Sequence, residues 1–265
     1  MSRPVAFSLP ALMFMRRAFK SVLNHIPYSE RIINSPTFYR YINKLDSIRW
    51  GDKLKGRDAG EIFSDIYKEN VWENDESVSG DGSTLKYTAN LRRELPALFE
   101  KFEIRSILDA PCGDYNWFRH VKRDDVDYVG GDVVTELIGR NNERFSDKQT
   151  RFIELDIISD ELSKSDLWFC RDVLFHFSFD DIFKTLENFV RSEIKYLFTT
   201  THTKCSENLD ILTGQFRLLN LLRKPFCLPE PIYAIDDWIE GFPERQMCLW
   251  TREAVAETLN KRSGS

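Results

Sequence analysis

The sequence predicts an α/β fold in which a doubly wound, mostly parallel sheet carries helices on both faces. Short, continuously apolar segments recur from residue 104 onward, and amphipathic segments of helical periodicity separate several of them. A tight turn containing a glycine follows the first apolar segment. Continuously apolar strands that alternate with helices are typical of a parallel sheet buried on both faces.

The segment 104–132 contains the central unit of this fold. An apolar run predicts a first strand that ends at Asp109, followed by the turn 110–113. The next residues predict a short helix that carries Trp117, and a second apolar run then ends at the sequence 130–132. A strand, glycine turn, helix and second strand in this order form the nucleotide site of a doubly wound sheet.

The same segment indicates which nucleotide can bind. Asp132 lies 19 residues after Gly113, near the roughly 20 at which such a unit places an acidic residue for the ribose hydroxyls. A dinucleotide fingerprint needs three glycines, and Asp114 beside the expected helix start would repel a pyrophosphate. A ligand with ribose and adenine but no phosphate is therefore favoured, and S-adenosylmethionine is the commonest one.

Four segments, SILDAPCGD, YVGGDVV, FIELDI and DLWFCRDVLFHFS, follow each other in that order. They resemble the successive motifs of class I S-adenosylmethionine-dependent methyltransferases, in particular a small bacterial-type group whose first motif is DAPCGD. The resemblance extends from about residue 76 to about residue 251. It implies a Rossmann-like sheet of seven strands, the last antiparallel, in a methyltransferase domain over 76–265 that follows an N-terminal helical extension or cap over 1–75.

Composition limits the classes of partner. The 265 residues carry a formal net charge of −5, which gives no overall basic field for nucleic acid. Five scattered cysteines without zinc spacing favour free thiols in a reducing compartment and no bound metal. The sequence has no run of 18 or more apolar residues, so we predict no membrane span. We expect a cytoplasmic protein with no nucleic-acid partner, and its oligomeric state stays open.

The N-terminal region allows three interpretations. Residues 1–29 lack Asp and Glu, and apolar positions recur at helical spacing over 10–26. The segment is an accessory helix that packs on the domain, a peripheral helix on a membrane surface, or a cleaved targeting peptide. Residues 30–75 are rich in aromatic side chains and predict a helical cap.

The loop 77–83, rich in glycine and serine, precedes a predicted helix over Thr84–Lys101. Two interpretations stay open. Ser83 is the N-cap of that helix, or the loop is a flexible lid over the ligand in which Ser79 and Ser83 contact substrate. The loop lacks the Gly-Lys-Ser/Thr ending of a phosphate loop.

Further elements follow from the alternation of apolar and amphipathic segments. Helices are predicted over 133–143 and 180–190, and strands over 151–157, 167–170, 196–198, 232–235 and 247–250. The segment 199–231 has no clean period, and a long irregular insertion is usually functional.

Acidic residues stand at four predicted strand ends: Asp109, Asp132, Asp156 and Asp172. Ligands of doubly wound sheets bind beyond the carboxyl ends of the strands. A single strand-end Asp is more often a turn former, whereas four at successive ends favour a shared site. The resemblance implies that Asp109 and Gly113 line the methionine part of the cofactor. It also implies that Asp132 accepts from the ribose hydroxyls and that Asp156 holds the adenine amino group.

The first motif departs from the common pattern, because Pro111 and Cys112 replace two glycines and Pro111 stiffens the turn. The contacts of Ala110 and Cys112 with the cofactor are therefore open. Trp117 is either a core anchor or a wall of the sulfonium pocket. Arg171 contacts substrate or pairs with Asp172, and we favour the pair. The remaining candidate cofactor residues are Ala110, Asp114, Trp117 and Arg171.

Methyl transfer requires alignment of donor and acceptor, and a hydroxyl acceptor also needs a base, a role that suits histidine. His176 follows the fourth strand and His202 the fifth, so both are candidates and His176 is the first choice. Asp172 is a further catalytic candidate. His120 is expected to pack in the core.

The candidate acceptor wall is polar. It combines Ser79 and Ser83 with Asn208, Thr213 and Arg217 of the insertion. Such a lining suits a sugar better than a flat hydrophobe, unless the insertion is a solvated loop. The resembled bacterial group is often linked to surface-glycan modification. We expect O-methylation of a glycan precursor or another hydroxylated small molecule. Methylation of a protein side chain or lipid head group, and a non-catalytic cofactor-binding partner, are the alternatives.

Overall fold

The computed structural model describes residues 53–72 and 74–263, together with Phe38, Arg40, Tyr41, Lys44, Leu45 and Gly51. The predicted membrane-contacting segment 10–26 lies outside the described residues. Within the part that the structure describes, no helix is long and apolar enough to cross a bilayer.

Seven strands form one sheet in the order β3-β2-β1-β4-β5-β7-β6. Their bounds are β1 Ser106–Asp109, β2 Asp127–Asp132, β3 Thr150–Glu154, β4 Leu167–Cys170, β5 Tyr196–Thr201, β6 Tyr233–Asp236 and β7 Gln246–Thr251. Strands β1 to β5 pair in parallel, and β7 runs antiparallel to both of its neighbours. The predicted fold class is therefore confirmed, including the antiparallel last strand.

Helices cover both faces of the sheet. Those that are described over their full length are α1 Ala59–Lys68, α2 Ala89–Lys101, α3 Thr135–Phe145, α4 Phe179–Arg191 and α5 Arg252–Ser263. Helices α4 and α5 pack on the face that contains Trp168 and Trp250, whereas α2 and Ile138 of α3 pack on the face that contains Phe169. Two apolar layers thus enclose the strands, as their continuous apolar sequences predict.

Helix α4 illustrates how the sequence encodes these elements. The Ser178 hydroxyl accepts from the Asp181 N–H at its start, which satisfies one of the orphan donors of a helix N-terminus. Ile182, Leu186 and Phe189 recur at helical spacing and are buried. The stripe packs the helix on the sheet.

Three local expectations differ from the structure. The residues after Gly113 form only a 3-10 turn, Phe118–His120, because Tyr115 takes the left-handed conformation at φ 56° and breaks any right-handed helix. The short helix predicted after the turn 110–113, carrying Trp117, is therefore wrong. Ser83 ends a separate 3-10 turn and does not cap α2, which begins at Ala89.

The insertion between β5 and β6 is fully described and contains neither helix nor strand, as its lack of periodicity predicts. Helix α5 was not among the predicted elements. Helix α1 falls in the aromatic-rich region for which a helical cap is expected.

We expect Phe189→Ala to lower the free energy of unfolding by about 3–5 kcal/mol, because it leaves a cavity between α4 and the sheet. Chemical denaturation measures the loss. Glu187→Ala, on the exposed side of the same helix, is the control and should change stability by less than about 0.5 kcal/mol. Equal effects of the two changes would contradict the assignment of the buried face.

Candidate functional site

A cavity of about 380 Å³ lies beyond the carboxyl ends of the parallel strands. This volume falls within the roughly 300–1,000 Å³ typical of small-molecule sites. Its lining includes these residues predicted from the sequence: Ser79, Ser83, Asp109, Gly113, Trp117, Asp132, Asp156, Arg171, Asp172, His176 and His202. The strand ends therefore converge on one space.

The glycine turn is bonded to the end of β2. The Gly113 N–H donates to Oδ2 of Asp132 at 3.1 Å, and the Cys112 N–H donates to the Gly131 carbonyl at 2.8 Å. Gly113 has φ 56°, and a Cβ there would collide with Oγ of Ser79. The position thus needs glycine both for its conformation and for the close approach of the loop.

Asp132 is buried at the end of β2, and its carboxylate also accepts from the Val134 N–H at 3.1 Å. Burial raises its pKa to about 6 despite these backbone donors. Each carboxylate oxygen has a second lone pair, so Asp132 can accept two further hydrogen bonds from a ligand.

Asp109 lies deeper, at the end of β1. Its Oδ2 accepts from the Tyr128 hydroxyl at 2.6 Å, and burial raises its pKa to about 8. The carboxyl group is therefore mostly neutral near pH 7 without a ligand, and a nearby cationic ligand group would favour its ionised form.

Asp156 follows β3 and lines the cavity, but both of its oxygens are used in its own turn. Oδ1 accepts from the Ile158 N–H and Oδ2 from the Ser159 hydroxyl, each at 2.9 Å. The side chain thus acts as the turn former that a strand-end Asp usually is.

Four charged side chains form a buried network at one edge of the cavity. Arg171 binds Asp237 through Nε at 2.9 Å and Nη2 at 3.0 Å, and its Nη1 lies 3.2 Å from Asp172. Arg245 reaches Asp172 at 2.9 Å. The Arg171–Asp172 pair agrees with the interpretation that we favoured. Asp237 and Arg245 were missed, since nothing in the sequence marks them as partners.

Asp172 is poorly suited to accept a proton. Burial opposes its ionisation, but the guanidinium groups of Arg171 and Arg245 outweigh that effect and hold its pKa below the usual value. The carboxylate is a paired anion at neutral pH.

The two candidate histidines carry their protons on different atoms. Nδ1 of His176 lies 2.8 Å from the Gln215 carbonyl, which can only accept, so neutral His176 has its proton on Nδ1 and a lone pair on Nε2. Nδ1 of His202 instead accepts from the Leu219 N–H at 3.3 Å, which places the proton on Nε2. Burial lowers the pKa of His202 to about 3. His176 is thus an acceptor at Nε2, whereas His202 is a neutral donor.

Asp114 anchors the loop 77–83 rather than lining the cavity. Its Oδ1 accepts from the Ser77 hydroxyl at 3.1 Å and its Oδ2 from the Val78 N–H at 3.0 Å. At the other end of the loop, Nη2 of Arg171 donates to the Gly82 carbonyl at 2.8 Å. The loop is therefore tied to both the glycine turn and the charged network.

The structure does not bring the predicted acceptor residues of the insertion to the cavity. Arg217 is fully buried elsewhere and donates to the Phe177 carbonyl at 2.6 Å. Asn208 donates to the Asn220 carbonyl, and Thr213 bonds to Asp181. Buried backbone needs hydrogen-bond partners; Asn208 supplies them to the insertion, and Arg217 and Thr213 supply them to the segment that leads into α4.

Ala110 also lies outside the lining. It is buried in the sheet, where its N–H donates to the Phe169 carbonyl and its own carbonyl accepts from Nε1 of Trp168. The cavity wall is formed instead by the next residues of the turn, Pro111 to Gly113.

Aromatic side chains complete the lining. Only Trp117 among them was a candidate from the sequence, and its ring stacks on the Arg171 guanidinium at 5.4 Å. The others come from separate parts of the chain: Phe38, Phe63, Tyr67, Trp72, Tyr87, Phe175, Phe177, Phe216 and Phe242. The aromatic composition of residues 30–75 was the one sequence signal for part of this set.

Comparison with known proteins identifies the fold class. No model of a protein family matches the sequence, and no curated protein matches it. Solved structures do match. Human N-acetylserotonin methyltransferase in complex with SAM is 14% identical, covering 82% of this chain and 67% of that chain, with a TM-score of 0.51.

Two further structures have the same architecture. PigF with SAH is 12% identical, with coverage of 83% of this chain and 72% of that chain and a TM-score of 0.54. Magnesium protoporphyrin IX methyltransferase from Synechocystis PCC 6803 with bound SAM is 11% identical. The match covers 75% of this chain and 99% of that chain, with a TM-score of 0.53. The chain thus has the Rossmann-like fold of these methyltransferases.

We expect Asp114→Ala to raise amide hydrogen exchange in the loop 77–83, because the change removes two acceptors that hold Ser77 and Val78. A bond to a charged group contributes about 1.5–3 kcal/mol, so local protection should fall by roughly tenfold or more. Asp124→Ala, at an exposed acid, should leave the exchange unchanged. Protection that persists without the Asp114 carboxylate would refute its anchoring role.

Proposed function

We propose that the protein is an S-adenosylmethionine-dependent methyltransferase that acts on a hydroxyl group of a small molecule. The observation that carries this proposal is the shared cavity, in which the bonded pair of Gly113 and Asp132 faces the same space as His176. Its position beyond the strand ends is where doubly wound sheets bind nucleotides.

The cavity residues at the ends of β1 to β3 fit the cofactor. Asp132 has acceptor capacity for the two ribose hydroxyls, and the apolar side chains of Val133 and Leu155 line the same region for the adenine ring. Buried carboxyl groups at Asp109 and Asp132 suit a cationic ligand and disfavour a phosphate. The role of Asp156 toward the adenine amino group remains part of this proposal, since each of its oxygens keeps a second lone pair beside the bond that it already accepts.

When bound, S-adenosylmethionine supplies an electrophilic methyl group. The chain itself handles the proton that the acceptor hydroxyl loses. Nε2 of His176 is the atom that takes it, because the Gln215 carbonyl holds the other nitrogen protonated. His202 is a poor base at its lowered pKa, and it can donate a hydrogen bond that orients the acceptor.

The acceptor has to be inferred from this chain. The names of the neighbours specify different acceptors, N-acetylserotonin and magnesium protoporphyrin IX, for those proteins. The glycan precursor expected from the sequence is one candidate here. The five free cysteines support placement in a reducing compartment such as the cytoplasm.

Asp132→Ala should weaken S-adenosylmethionine binding at least about tenfold, because two hydrogen bonds to a charged acceptor are lost. Calorimetry measures the affinity, and Asp127→Ala, at an exposed position of the same strand, is the control. Unchanged affinity in the Asp132 variant would remove the cofactor assignment.

The affinity should also depend on pH. The ionised form of Asp132 accepts the ribose hydroxyls, and its pKa is raised to about 6. Affinity should therefore fall as pH decreases through about 6, by up to roughly tenfold per pH unit below it. Asp132→Asn should bind weakly and lose this part of the pH dependence. A variant that keeps the wild-type profile would show that another group is responsible.

His176→Ala should lower turnover by about 10²–10⁴-fold, the usual contribution of a general base, and leave cofactor affinity intact. The packing role expected for His120 is wrong, because its side chain is exposed and lies outside the cavity lining. His120→Ala should therefore retain full turnover in the same labelled-methyl assay. The assignment of the base is wrong if His176→Ala remains active and His202→Ala does not.

A further inference from the structure

The cavity divides into two halves with different chemistry. The half at the ends of β1 to β3 contains the buried carboxyl groups Asp109 and Asp132. The other half lies beyond β4 and β5 and contains the 3-10 turn Leu174–His176 and His202. If the first half binds the methyl donor, as the proposed function requires, the second half holds the acceptor.

Aromatic rings from distant parts of the chain surround His176 in this acceptor half. The ring centroids of Phe175, Phe216, Trp72 and Phe63 lie 4.6, 5.6, 6.2 and 6.4 Å from that of His176. Phe175 and Phe216 also contact each other at 5.2 Å. We call these four rings the aromatic wall. They bring apolar faces and edges next to the atom that takes the proton.

The charged groups beside the aromatic wall compensate one another. Arg171 and Arg245 are paired with Asp172 and Asp237, so two positive and two negative charges meet at this edge of the cavity. An acceptor with a phosphate or carboxylate would have to disrupt these buried pairs, which is strongly unfavourable.

Three of the polar side chains that were expected to hold a sugar are engaged elsewhere. Asn208, Thr213 and Arg217 are bonded within or beneath the insertion. Ser79 accepts from the Asp114 N–H and packs on Gly113, which places it at the donor half. A polyhydroxylated acceptor would bury hydroxyls against rings, at about 1–3 kcal/mol for each one left unsatisfied.

From these contacts we infer that the acceptor is a neutral, flat, mainly apolar molecule with a phenol-type hydroxyl, held on the aromatic wall with that hydroxyl at His176. This inference rests on the proposed function and specifies its substrate class. It replaces the sugar acceptor that the sequence suggests, because three of the five polar residues behind that expectation, Asn208, Thr213 and Arg217, do not line the cavity.

The test combines binding and turnover. The ligands are neutral phenols of one to three fused rings (phenol, 2-naphthol and 2-hydroxyanthracene), compared with methyl glucoside and UDP-glucose. Calorimetry measures binding to protein saturated with S-adenosylhomocysteine, and a labelled-methyl assay measures turnover. We expect binding and methylation of the fused-ring phenols, tighter for naphthol than for phenol, and neither with the two sugars.

Variants locate the binding surface. Trp72→Ala and Phe216→Ala should each raise the KM for 2-naphthol at least tenfold while cofactor affinity is unchanged, and Trp72→Phe should recover most of the loss. Trp238→Ala, at a tryptophan that is 38% exposed and outside the cavity lining, is the matched control. Thermal unfolding checks that each variant is folded, and Phe216→Leu serves if Phe216→Ala is not.

The outcomes separate the two proposals. Absence of S-adenosylmethionine binding refutes the proposed function, but binding of 2-naphthol that depends on Trp72 and Phe216 would still support the ligand class. Methylation of a sugar, or phenol binding that the wall variants leave unchanged, overturns the inference and leaves the methyltransferase assignment standing. The inference is also overturned if none of the phenols binds to the protein saturated with S-adenosylhomocysteine.

Discussion

The shape of the cavity depends on a network of four charged side chains at its edge. Arg171, Asp172, Asp237 and Arg245 join the ends of β4, β6 and β7, and Arg171 also holds the loop through Gly82. Removing one member of a buried pair costs about 3–5 kcal/mol, since its partner is left uncompensated. The network therefore fixes the positions of three strand ends and the loop at once, and it keeps this edge of the cavity electrically neutral.

The two halves of the cavity differ in the groups that surround a ligand. Burial raises the pKa of both Asp109 and Asp132, and a cationic ligand group beside them would favour their ionised forms. Around His176, which is half-buried, the neighbouring groups are aromatic rings. The cavity thus has carboxyl groups on one side and the aromatic wall on the other.

The positions of the strand-end residues can be predicted from the sequence alone. Carboxyl ends of parallel strands meet at one sheet edge, so the convergence of Asp109, Asp132 and Asp172 could be predicted from strand order alone. The left-handed Tyr115 could not, because tertiary packing of the neighbouring aromatic rings selects that conformation. The aromatic wall could not be predicted from local sequence either, since it joins Phe63 and Phe216 from distant parts of the chain. The polar residues of the insertion were assigned wrongly because they bond buried backbone, that of the insertion itself for Asn208 and that of residues 174–178 for Arg217 and Thr213.

The contact between Gly113 and Ser79 has a consequence for how this chain can diverge. The glycine turn and the loop share one small space, and any side chain at 113 would enter the position of the serine hydroxyl. The two sites are therefore under a joint steric constraint during evolution. A descendant that acquired a larger residue in the turn would have to move or replace the Ser79 side chain and hold that residue in a left-handed conformation, so changes at positions 79 and 113 should occur together among homologues.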